Sequence, residues 1–207
     1  MRRHKSVAPL TLGVIAAVAL GCSENTEPGS AVAASSVSAS QTSPARQTLT
    51  NPKLQPPPQR NKYTDEWRPE VVFDPCTWIS DDTLVQAGLD PSTRRRGKDF
   101  LAEYTFLTCN FEGKLRELQV DSGNVTWEED IEKNGPNSEP LTVNGRQAMW
   151  VRDPHLTETC DIHLRTKAGF VILSFTRTFE GSETGLQRCD GVLEIAQAIE
   201  PEIGAEN

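Results

Sequence analysis

Phe106-Leu107-Thr108-Cys109-Asn110-Phe111-Glu112-Gly113-Lys114-Leu115-Arg116-Glu117-Leu118-Gln119-Val120 is the stretch on which the fold turns. Leu107, Cys109 and Phe111 alternate with Phe106, Thr108 and Asn110, and after a turn at Gly113 the apolar period resumes at Leu118 and Val120. A period of two sends successive side chains to opposite faces, so the stretch reads as two antiparallel strands with one face toward a core. The same pattern continues downstream. Leu141-Thr142-Val143 and Gln147–Val151 flank Asn144-Gly145, the strongest short hairpin signal in the chain. Cys160, Ile162 and Leu164 alternate with Asp161, His163 and Arg165, and a turn at Lys167-Ala168-Gly169 leads to 170–175, apolar on both faces and therefore a central strand.

Helices bracket these strands. Asp74-Pro75 combines a capping carboxylate with a proline at the first helical position, and Ser80 with Asp81 and Asp82 starts a second turn that Gly88 ends. Thr126 with Glu129 three residues on forms a capping box for a short acidic helix. Cys189, Val192, Leu193, Ala196 and Ile199 fall on one helical face before Pro201, which is expected to stop the helix. Arg94-Arg95-Arg96, flanked by Asp90 and Asp99, reads as an exposed loop. The expected fold is α+β: an antiparallel sheet of about five or six strands, N-terminal and C-terminal helices packed on one face, and two disulfides.

The 207 residues carry a net charge of −8, but unevenly. Residues 1–64 carry +5 and residues 65–207 carry −13, a balance that argues against nucleic acid or an anionic bilayer surface as partner for the C-terminal part. Arg2, Arg3 and Lys5 precede an apolar run, Val7 to Leu20, too short to span a bilayer and shaped like a secretory signal. It ends in Val18-Ala19-Leu20-Gly21-Cys22, which resembles a bacterial lipobox and implies a diacylated (palmitate-type) Cys22. Two acyl chains anchor stably. Residues 23–62 hold no aromatic residue and end near Pro56-Pro57-Pro58, the composition of a disordered spacer. The expected organisation is a signal peptide at 1–21, a lipidated cysteine and tether at 22–64, and a globular extracytoplasmic domain at 65–207, held at the cell membrane.

With Cys22 taken by lipid, Cys76, Cys109, Cys160 and Cys189 remain. An even number in an exported chain reads as two disulfides with three possible connectivities, and the absence of a C-x₂-C pair argues against zinc. Cys109 and Cys160 sit on core-facing strand positions, Cys76 and Cys189 on helices covering that face, which favours Cys76–Cys109 with Cys160–Cys189. The crossed pairing, Cys76–Cys160 with Cys109–Cys189, keeps the same helix-to-strand logic. Asp74-Pro75-Cys76, Cys109-Asn110-Phe111, Val143-Asn144-Gly145, Cys160-Asp161-Ile162 and the Cys189 helix, in that order, resemble the actinobacterial lipoprotein domain called domain-of-unknown-function family 3558. The resemblance runs from about Trp67 to Pro201 and includes the lipobox and linker; it implies an exported, membrane-anchored domain and carries over no catalytic residue.

Chemistry is sparse. Gly-x-Ser-x-Gly, Ser-x-x-Lys, His-Glu-x-x-His and phosphate-binding glycine loops do not occur. His163, between Asp161 and Arg165, is expected to face solvent; His155 follows Asp153-Pro154 in a loop. Glu128-Glu129-Asp130-Glu132 reads as a solvated helix start rather than a calcium loop. Asn124-Val125-Thr126 matches a glycosylation sequon. If Met149 and Val151 face the core, Trp150 lies on the open side between Arg146 and Arg152, a composition typical of binding hot spots; the favoured alternative is that a loop or the N-terminal segment covers Trp150, with an arginine packed on its ring. The expectation is a non-enzymatic binding or accessory module at the cell envelope with no catalytic residue, metal or cofactor. A structural protein docking to another envelope protein or to the cell wall is the alternative. A deep pocket would favour a small ligand, a flat patch at Trp150 a protein, and a His–Asp contact in a cleft an enzyme.

Overall fold

Asn144 (φ 48°) and Gly145 (φ 93°) both take left-handed backbone, the two-residue turn that the Asn-Gly pair demands. It joins β5 (Ser138–Val143) to β6 (Arg146–Val151) in the computed structural model, which describes residues 48–207. The alternating stretch forms β3 (Thr105–Gly113) and β4 (Arg116–Gly123), paired in register from Phe106↔Gly123 to Glu112↔Glu117. With β1 (Leu89–Arg96), β2 (Phe100–Leu101), β7 (Thr159–Arg165) and β8 (Phe170–Arg177) they make an antiparallel sheet of order β1-β3-β4-β8-β7-β6-β5, β2 adding only to β3. β8 is central, as its two apolar faces require.

Three helices cover one face: α1 (Pro75–Trp78), α2 (Asp81–Gln86) and α5 (Val192–Ile203). Cys109, Phe111, Leu118, Val120, Ile162, Leu164, Leu173 and Phe175 meet them in the main core, each at most 1% exposed. Each large side chain so enclosed stabilises the fold by about 1.5–3 kcal/mol. The disulfides are Cys76–Cys109 and Cys160–Cys189, with Cα separations of 5.1 and 5.5 Å, so each ties a helix or its lead-in to a strand. The favoured pairing is the one formed.

The expected caps are made. Asp74 accepts from the Thr77 amide, Ser80 from the Thr83 amide, and Thr126 and Glu129 complete both halves of a capping box on α3 (Trp127–Asn134). α4 (Phe179–Glu183) follows β8. The α5 helix does not stop before Pro201 but carries it inside, ending at Ile203. A proline there leaves the carbonyl four residues back without its amide. That carbonyl, Gln197 O, accepts instead from the side-chain amide of Asn144 at 2.7 Å, so the hairpin turn supplies the bond that the proline removes.

Two boundaries differ from expectation. The Arg94-Arg95-Arg96 run is no loop: it ends the edge strand β1, and each arginine is paired. Arg94 bonds Asp81 and the carbonyls of Cys76 and Ile79, Arg95 bonds Glu112, and Arg96 bonds Asp74, Asp99 and the Leu54 carbonyl. Nor does the ordered chain wait for residue 65. The Leu49 amide bonds the Thr77 carbonyl, Leu54 is buried, and the Gln59 side chain pairs with both backbone groups of Val71. The expected tether therefore gives its last stretch, 48–64, to the domain. The expected signal peptide at 1–21, the expected lipid site Cys22 and residues 23–47 lie outside the described residues.

Candidate functional site

The second face of the sheet is only partly covered. Its residues alternate with those of the main core, so a row runs across it from Thr108 to Asp121, Ile172, His163 and Met149, and the next from Asn110 to Gln119, Ser174, Asp161 and Val151. The α3 helix crosses one end of this face. Trp127, Met149, Val151 and Phe170 form a small second core beneath it, with Phe106, Val125 and Ile172 packed alongside.

Where α3 meets the sheet, polar groups are drawn inside. Asp130 turns inward from the helix, and its Oδ2 lies 2.7 Å from His163 Nδ1; the two side chains are 1% and 5% exposed. Asn134 donates to the other carboxylate oxygen at 2.7 Å. The imidazole lies parallel to the Phe170 ring at 5.3 Å. With Nδ1 held by the carboxylate, Nε2 has no hydrogen-bond partner among the described residues. One residue along the helix, Glu129 takes a two-pronged bond from Arg68 at 2.8 and 2.9 Å, and Arg68 also donates to the Asn124 carbonyl. Donation by the guanidinium, then by the Thr126 amide, holds the Glu129 carboxyl down to about 2 and raises Arg68 in turn. Together these pairs wall a cleft of about 330 Å³ whose apolar lining is Tyr104, Phe106, Val125, Phe170 and Ile172.

Beyond the cleft lie two carboxylates. Asp121 accepts from Thr108 Oγ1 at 2.6 Å and Gln119 Nε2 at 2.8 Å, and Asp161 accepts from Ser174 Oγ at 2.6 Å. Burial pushes both carboxyls up, since a low-dielectric surrounding disfavours the charge, and these donors only partly offset it.

His163 is thus not a solvent-facing residue: α3 covers that part of the sheet and gives the ring a buried carboxylate. Asp130 likewise leaves the solvated acidic cluster, whereas Glu128 stays exposed beside Arg165. His155 is exposed in its loop. Asn124 of the sequon is 2% exposed and bonded to the Thr105 amide and the Pro69 carbonyl, so no glycan fits on it. Met149 and Val151 do pack inward, but into the second core. Trp150 accordingly faces the main one, half-buried, its indole N–H donating to Cys160 Sγ at 3.0 Å with the Arg152 guanidinium 5.1 Å from its ring. Arg146 is spent on Glu200 and the carbonyls of Arg165, Gly204 and Asn207. Trp150, Arg146 and Arg152 make no open patch.

Arg68, Tyr104, Asp130 and His163 were not singled out as a site from sequence. One signal existed: Phe170 and Ile172 make the second face of β8 apolar, which calls for a cover, and the helix after β4 is the nearest element able to supply it. Among the described residues no group of three or more His, Cys, Asp or Glu side chains is placed to hold a metal, and no helix is long and apolar enough to cross a membrane. No curated protein and no solved structure matches the chain. One family does, described as a protein of unknown function, DUF3558, over residues 17–202. That span takes in both disulfides, the whole sheet and the α3 cleft, and the chain belongs to this family.

Proposed function

We propose that this chain is an extracytoplasmic lipoprotein, anchored to the membrane through acylated Cys22, whose domain is a non-enzymatic binding module for an envelope ligand. The observation that carries the reading is the α3 cleft: about 330 Å³, walled by the Arg68–Glu129 ion pair and the Asp130–His163 hydrogen bond and floored by aromatic and aliphatic side chains. Concave sites of that size with a few fixed polar groups are the usual form of a ligand pocket. An acid–base enzyme is the competing reading, and His163–Asp130 is the observation that favours it. Against it, no side-chain hydroxyl or thiol is hydrogen-bonded to His163 among the described residues, so the pair has no protein nucleophile beside it and would have to act on water or substrate directly. Its single bond instead fastens α3 to β7, with Asn134 bracing Asp130 from within the helix.

Non-denaturing mass spectrometry of the full-length protein, extracted in detergent, tests both halves of the proposal. Wild type is expected to carry a diacylglyceryl mass and an additional bound species. Cys22→Ser loses the first, and Ile172→Trp, which fills the cleft, loses the second. Wild-type protein without an acyl mass removes the anchor, and identical spectra for wild type and Ile172→Trp remove the cleft.

A further inference from the structure

Trp67 is 63% exposed and Phe100 43%, yet neither hangs free. The Arg68 guanidinium lies over the Trp67 ring at 4.1 Å and stands 5.9 Å from Tyr104, and Tyr104 stacks on Phe100 at 4.7 Å. Phe106 meets Tyr104 edge-on at 5.9 Å and lies flat over Gly123, where any Cβ would run into its ring. Two exposed rings thus flank the α3 cleft, Trp67 through Arg68 and Phe100 through Tyr104, both of which line it.

The cleft does not end there. A second cavity of about 330 Å³ shares Tyr104, Phe106 and Ile172 with it, and a third of about 200 Å³ shares Gln119 with the second. They form one groove running along β3, β4 and β8 from the row of Phe106 to that of Glu112 and Glu117, roughly 20 Å at the rise of a strand. Its lining changes along the way, from ring faces to amides, hydroxyls and carboxylates. Asn110 and Thr176 line its far end with side chains that have no hydrogen-bond partner among the described residues.

We infer that this groove binds a neutral polysaccharide strand, its sugar rings stacked on the exposed rings of Trp67 and Phe100 and its hydroxyls bonded to the polar far end. The inference rests on the binding-module reading and names its ligand. Sugar rings present apolar C–H faces that suit the electron-rich faces of aromatic rings, and a rim of hydroxyls that donate and accept in many directions. An extended peptide fits less well, because it binds through main-chain pairing at a sheet edge, and this groove lies on a face and offers side chains. Polyanionic strands are disfavoured by the net charge of −13 over residues 65–207, and the lining offers them no net attraction, because Arg68, Arg95, Lys98 and Lys133 are balanced there by Glu117, Asp121, Glu129 and Asp130.

The experiment uses full-length detergent-extracted protein and follows tryptophan emission during titration. The probes are oligomers from the neutral polysaccharide fraction of the producing cell's own envelope, with acidic oligomers of the same envelope as the charge control. The neutral fraction is expected to shift the emission to shorter wavelength as Trp67 is covered. Separately, Phe100→Ala should weaken binding about tenfold, the loss of one ring contact. Trp67→Ala should remove the spectral shift and weaken binding similarly by calorimetry. Both positions are exposed, so the variants fold. Absence of binding by the neutral fraction overturns the inference, as does binding that neither substitution changes or tighter binding of the acidic oligomers. A protein that docks on Trp67 and Phe100 while the sugars do not bind also overturns it. If the sugars fail but Ile172→Trp still strips a species from the wild-type mass spectrum, the glycan is wrong and the binding module stands; if both fail, the module falls too.

Discussion

Arg146 distinguishes a structural clamp from a recognition surface, and the difference is measurable. Its side chain is 9% exposed and its partner Glu200 12%, joined at 2.7 Å, and the guanidinium donates in addition to the carbonyls of Arg165, Gly204 and Asn207 at 2.6–3.0 Å. Arg146→Met keeps most of the stem but removes every donor. Glu200 then retains one contact, from Asn144 at 3.3 Å. Removing one partner of an enclosed ion pair costs about 3–5 kcal/mol, because the other charge stays behind without compensation. Glu200→Met alone costs less, about 1–2 kcal/mol, since Arg146 keeps its three carbonyl acceptors. The double variant leaves no orphan charge, so it should be more stable than Arg146→Met despite carrying one more substitution. Urea denaturation of the folded domain reads all four species. At a slope of about 2 kcal/mol/M, Arg146→Met should lower the midpoint by roughly 2 M. A loss below about 1 kcal/mol, or a double variant worse than either single one, would falsify the clamp and return Arg146 to the surface as a free cation.

Three further outcomes follow from the same structure. Cys160→Ala/Cys189→Ala opens a loop closed over 29 residues and should cost about 3–4 kcal/mol by chain entropy; the 33-residue Cys76–Cys109 loop should cost about the same, so calorimetry in reductant should find the fully reduced domain close to unfolded. A chain begun at Asp65 loses the buried Leu54, the Leu49–Thr77 bond and the Gln59–Val71 pair, and should be less stable than one begun at Thr48 by about 2–4 kcal/mol; equal urea midpoints would show that 48–64 does not pack. The Glu129 carboxyl titrates lower in the folded chain than in the unfolded one, so the Arg68 bond stabilises fully above about pH 4.5 and is lost as the pH falls toward 2. Glu129→Gln should therefore flatten the acid limb of stability against pH over that window and leave its shape above pH 5 unchanged.

Much of the fold is written locally, and what is hidden is what depends on distant partners. Alternation at 106–120 and 160–175, the Asn-Gly turn and the Asp74, Ser80 and Thr126 caps are satisfied within a few residues, so their reading survives contact with the structure. The β1 strand escapes because Asp90-Pro91-Ser92-Thr93-Arg94-Arg95-Arg96 has no apolar alternation: it is an edge strand with a register shift between Asp90 and Arg95, paired through backbone and neutralised by acids from four other segments. Trp150 is assigned to the wrong side because both faces of β6 are packed, and period two says which residues share a face without saying which face is which. The His163–Asp130 contact spans 33 residues and joins two groups that each look solvated in their own neighbourhood. No local pattern encodes such a pair; only the placement of α3 does.

The Cys76–Cys109 bond has a mechanical consequence. Load applied through the chain ahead of residue 48 first meets noncovalent attachments: the Leu49 amide on Thr77, Leu54 against the core, Gln59 on Val71 and Arg68 on Glu129. These can peel one after another, each yielding slack. At Cys76 the peeling stops, because the next attachment is covalent and leads straight into β3, which is held by β4 along its whole length. The segment ahead of that cysteine is thus an extensible leader, and the sheet behind it takes the pull only after the leader has been drawn out. The groove rim at Trp67 lies on the leader and its floor on the sheet, so tension would open one wall of the site before it disturbed the other.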